Sequence, residues 1–192
     1  MPLFASQLSI NTQHESSWDT YIKDSHATSN FAGEVNVQCG YIVGRGGTTI
    51  KRAILAFDLS DLANRNITSC TLTMKTTSGF GLSGSTDCNI HLLNVADSDI
   101  VYDEVTWNES KSGTSWSAAG GDIAAQASGT FTTPWAQSGL VQFTSTDITN
   151  LIKSKAGGMA FVLIKTTESS GTNVRSVTGH DEDRLLFPIF RH

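Results

Sequence analysis

The chain has 192 residues, 39% apolar and 16% charged, with a formal net charge of −5. This length suits one domain that buries roughly 70% of the surface its unfolded chain exposes, so no disulfide or metal staple is needed. The acidic balance, the lack of any Lys/Arg cluster and the lack of an apolar run near ~20 residues argue against nucleic-acid binding, an anionic membrane surface and a membrane-inserted helix.

Residues 1–7 carry neither a basic segment nor a long apolar core, so they do not read as a signal peptide. Strand signals start at 4–10 and Trp18–Lys23. Val35, Val37, Cys39, Tyr41 and Val43 then alternate along one long strand. The glycine-rich turn 44–47 follows, and 50–58 returns as its hairpin partner. On the returning strand Leu55, Phe57 and Leu59 share a face. Asp58 sits at its exit, where a carboxylate can accept from backbone N–H groups and close a turn.

Strands at 67–76 and 88–96 come next. The stretch 97–136 is less regular and holds Trp107, Trp116 and Trp135 among many small residues. It reads as a long connection folded over the sandwich, with short strand pieces. After a short strand at 140–144, residues 147–155 form the one helix, with Ile148, Leu151 and Ile152 at helical spacing. Thr146 or Asp147 caps its start and Gly157 its end. Met159–Thr166, Asn173–Thr178 and 185–190 complete the strands.

Many strands and one short helix specify an all-β, single-domain antiparallel sandwich. A jelly roll fits better than an immunoglobulin-type arrangement, because the Cys–Trp–Cys spacing of the latter is missing. Cys39, Cys70 and Cys88 are far apart and form no C-x-x-C pair, so they read as buried thiols, with one disulfide plus one free cysteine as the alternative.

Residues 79–84 match G-x-G-x-x-G, but a strand follows where nucleotide binding needs a helix. No G-x-S-x-G elbow or H-E-x-x-H pair occurs, and no acid–base set can be named, so the chain reads as a non-enzyme. Asp97, Asp99, Asp103 and Glu104 form one acidic loop cluster and 180–184 another. Solvated loop charge is the plain reading. The functional one is a structural Ca²⁺ that would draw on Asp19, Asp58, Asp181 and Asp183, since hard cations take several oxygen ligands. Trp107 reads as core. Trp116 and Trp135 are either exposed contacts or loop anchors, and with Tyr102 they are the candidate surface contacts, since sugar C–H groups pack on aromatic faces.

One set of ordered segments carries a family likeness. It comprises Asp19-Thr20-Tyr21-Ile22, Asn30-Phe31-Ala32-Gly33 and Arg52-Ala53-Ile54-Leu55-Ala56-Phe57-Asp58-Leu59-Ser60. Ile67-Thr68-Ser69-Cys70-Thr71-Leu72, Val105-Thr106-Trp107-Asn108, Trp116 and Gly120-Gly121 follow, then Asp147-Ile148-Thr149 and Leu186-Phe187-Pro188-Ile189. In this order they resemble the DNRLRE-domain family, a β-sandwich group similar to carbohydrate-binding modules. The resemblance implies a jelly roll, usually non-catalytic, and polysaccharide binding in some members. Without a signal peptide or partner domain, and with a Ser/Thr/Gly-rich exterior, the leading expectation is a phage virion surface protein. It would be a capsid decoration or a tail or fibre component, homo-oligomeric, touching capsid or tail proteins or surface glycans. The alternative is an extracellular polysaccharide-binding module of a secreted carbohydrate-active protein.

Overall fold

The computed structural model describes residues 5–11, 16–34, 36–76, 85–123, 129–134, 139–168, 173–178 and 184–190. In chain order the elements are β1 (Ala5–Asn11), β2 (Trp18–Lys23), β3 (Asn36–Gly44), β4 (Gly47–Asp58), β5 (Thr71–Thr76) and β6 (Ser85–Leu92). Next come β7 (Glu109–Lys111), β8 (Thr114–Ser115), β9 (Gly129–Pro134), β10 (Gly139–Thr144) and the helix α1 (Thr146–Lys155). The last are β11 (Met159–Thr166), β12 (Asn173–Thr178) and β13 (Arg184–Phe190). The described strands pair in the order β1-β13-β5-β12-β3-β4-β11-β6-β9, with β10 on β5 and β2 on β4, while β7 and β8 form a separate ribbon. Every pairing is antiparallel. The fold is an all-β sandwich with one helix.

Strand β4 organises it. The strand pairs with β3 near its start, with β2 along its middle and with β11 over its second half. Ala53, Leu55 and Phe57 enter the larger core beside Val37, Leu72, Ile90 and Val162, and Leu59 joins them, as the alternation predicts. Ile54 and Ala56 point the other way, into a second core with Ile22, Phe161 and Leu163. A strand buried on both faces needs an unbroken apolar run, and 53–57 supplies one.

Several expected boundaries move for identifiable reasons. The strand expected at 67–76 begins only at Thr71, because the Cys70 N–H donates to Thr149 Oγ1 (3.0 Å) instead of to a ladder. Residues 129–134, expected inside a loop, form β9 against β6. Its terminal Pro134 is tolerated because β9 pairs on one side only among the described residues. The helix cap is Ser145, not Thr146 or Asp147: its extended backbone presents Oγ to the Ile148 N–H at 3.0 Å. Ile148 and Ile152 enter the larger core. Gly157, at φ +90°, donates to the Leu59 carbonyl, and Leu59 donates to Gly158, which ties the helix exit to the end of β4. The glycine motif at 79–84 lies outside the described residues.

Cys39, Cys70 and Cys88 are buried and joined by no disulfide. Burial pushes the Cys70 thiol from 9.0 up to about 12.

Two outcomes follow from this packing. Replacing Ser145 with Ala removes the cap and costs about 1 kcal/mol, read as a fall in Tm of ~2–4 °C. Because the folded Cys70 thiol holds its proton more tightly than the unfolded one, its contribution is complete below pH 9 and lost as pH climbs towards about 12. Urea titrations of wild type across that window should lose more stability than those of Cys70→Ala.

Candidate functional site

The second core needs a cover, and residues 93–123 provide it. Ile100, Val105, Trp107 and Trp116 pack over Ile54, Ala56, Phe161 and Leu163. Trp107 is 9% exposed and Trp116 6%. The Trp116 indole N–H donates to the Thr106 carbonyl (3.0 Å), and its backbone N–H to Asn108 (3.0 Å). Trp116 is therefore packed as a loop anchor within the second core. Tyr102 is half-buried, with its ring 5.6 Å from that of Trp18 and its hydroxyl accepting from Gly33 N (2.7 Å). Asn30 fastens the same corner by donating to the Tyr102 and Val105 carbonyls. Trp135 lies outside the described residues.

Arg52 clamps the cover to the sheet. Its Nε and Nη2 donate to the two oxygens of Glu168, each at 2.8 Å, and Nη1 to the Gly120 carbonyl at 2.7 Å. The guanidinium lies 4.8 Å from the centroid of the Trp107 ring. Gly120 closes the clamp at φ +92°, where a Cβ would stand 2.5 Å from Arg52 Nη1 and 2.8 Å from Trp107 Cζ2. Only glycine combines that conformation with that approach.

Several carboxylates serve the backbone. Asp58 Oδ1 accepts from Ser60 N (2.9 Å) and Oδ2 from Ser16 N (3.4 Å), the turn closure expected of it. Asp97 accepts from Met159 N, Glu104 from Ser112 N, and Asp99 pairs with Lys111. Burial alone would raise the Asp122 carboxyl, but bonds from the Ser117 hydroxyl and from the Ser117 and Ala118 N–H groups outweigh it and hold it below the usual range. Asp19 is buried in β2. Asp181 and Asp183 lie outside the described residues. Among the described residues, no three His, Cys, Asp or Glu side chains gather as a metal ion would require.

A polar groove of about 360 Å³ opens elsewhere, between the segment before β5 and the polar side of α1. Thr146, Thr149, Asn150 and Lys153 line it at i, i+3, i+4 and i+7, one face of the helix, with Thr68 and Ser69 opposite. Thr149 fixes that wall, donating from Oγ1 to the Ser145 carbonyl (2.8 Å) while accepting from Cys70 N. Thr68, Thr146, Asn150 and Lys153 are exposed. Among the described residues that line it there is no Asp, Glu, His or Cys. Hydroxyls, an amide and an ammonium give hydrogen bonds in both directions, but no acid–base pair. In the sequence the only sign of this groove is the polar stripe on the side of the helix opposite Ile148 and Ile152.

Replacing Arg52 with Met removes the two-pronged partner of Glu168, whose side chain is 16% exposed and keeps only Lys165 at 4.0 Å, and should cost about 2 kcal/mol in chemical unfolding. Arg52→Met with Glu168→Leu should recover part of that loss. A double variant as unstable as the single one would show that Arg52 acts by some other route.

None of the curated proteins matches the chain. The model of carbohydrate-binding module family 96, by contrast, matches residues 10–186. The matched region opens inside β1 and ends inside β13, so it takes in both cores, the clamped cover and the groove. On a match of that extent, the chain belongs to carbohydrate-binding module family 96.

Proposed function

We propose that this protein is a non-catalytic polysaccharide-binding module, of jelly-roll type, working outside the cell. The family match over residues 10–186 carries the reading. Two features of the molecule support it. The sandwich has two packed cores, and so offers a rigid surface. The polar groove carries groups that pair with sugar hydroxyls, and among the described residues that line it there is no carboxyl of the opposed pair that a glycoside hydrolase needs. The family match favours a glycan as the partner over a capsid or tail protein.

Native electrophoresis of the purified chain through gels containing xylan, barley β-glucan, mannan, starch or polygalacturonate tests this. At least one polysaccharide should retard the protein, and no reducing ends should appear on prolonged incubation. Unretarded migration in every gel, or release of reducing ends, would contradict it.

A further inference from the structure

We infer that the groove between residues 68–69 and the polar side of α1 is the glycan contact, and that it holds sugar hydroxyls by side-chain hydrogen bonds, with no aromatic side chain among the described residues that line it. This rests on the polysaccharide-binding reading above. Its first support is what the aromatic residues are doing. Trp107 and Trp116 are buried in the cover, and Tyr102 has its ring against Trp18 and its hydroxyl on Gly33. Their faces are already engaged in folding.

The second support is the groove itself. Its walls come from separate parts of the chain and are locked together by the bond from Cys70 N to Thr149 Oγ1. The ligand therefore meets a preformed surface and does not pay to order it. In the first turn of the helix the Ile148 N–H is already taken, donating to Ser145 Oγ. What remains for a ligand is the outward row of Thr68, Thr146, Asn150 and Lys153, each exposed. These groups match the alternating donors and acceptors of a hydroxyl-rich sugar. At about 360 Å³ the groove is at the small end of the ~300–1,000 Å³ typical of ligand pockets, so it takes a short stretch or an end of a chain.

The test takes the polysaccharide that retards wild type most and compares two variants in the same gels. Asn150→Ala with Lys153→Ala removes two donors, and Thr68→Trp fills the groove from its exposed opposite wall. Arg45→Ala, at the distant β3–β4 turn, is the control, and melting curves show that each variant is folded. Each groove variant should weaken the dissociation constant by about tenfold or more, with the control unchanged. Wild-type retention that both groove variants keep in full would overturn the groove assignment and leave polysaccharide binding intact. Failure of every polysaccharide to retard wild type would overturn both.

Discussion

Five consecutive residues of β4, Ala53 to Phe57, have no exposure to solvent on either face. The rest of the molecule answers to that constraint. An antiparallel strand in a simple sandwich faces water on one side and alternates accordingly. Here the outward residues Ile54 and Ala56 are apolar, so something must cover them. Residues 93–123 do so with Ile100, Val105 and two tryptophans, each large side chain contributing on the order of 1.5–3 kcal/mol through burial. Apolar burial holds the cover down but does not orient it. Arg52 orients it, because a planar guanidinium can meet Glu168, Gly120 and the Trp107 face together.

The inward half of this arrangement is legible in the sequence. The alternation of Leu55, Phe57 and Leu59 gives the core face, and the Ile148–Ile152 spacing gives the helix. The outward half is harder to read, because its cover comes from residues far along the chain. Trp116 shows the difficulty. Its neighbours Ser115 and Ser117 suggest an exposed segment, and both are indeed exposed. In an extended segment, however, exposure at i−1 and i+1 turns residue i inward. The same two serines that invite a surface reading are what bury the indole.

The acidic clusters raise a similar problem. A run of Asp and Glu in a loop suggests a cation site when read alone. Loops also leave backbone N–H groups without ladder partners, and these must be satisfied. Asp58, Asp97, Glu104 and Asp122 each accept from such an N–H. These partners are set by the path of the chain, which local sequence does not reveal. The polar stripe Thr146, Thr149, Asn150 and Lys153 needed no such knowledge, since its period follows from the helix once the helix is recognised.

Native-state hydrogen exchange on the intact chain tests most directly whether the cover is an integral second core. The amides of Trp116 and Gly120, which donate to the carbonyls of Asn108 and Trp107, should be protected to a degree comparable with those of Ala53 to Phe57. Exchange of Trp116 and Gly120 near the rate of an unfolded chain, with β4 still protected, would contradict a cover locked to the sheet.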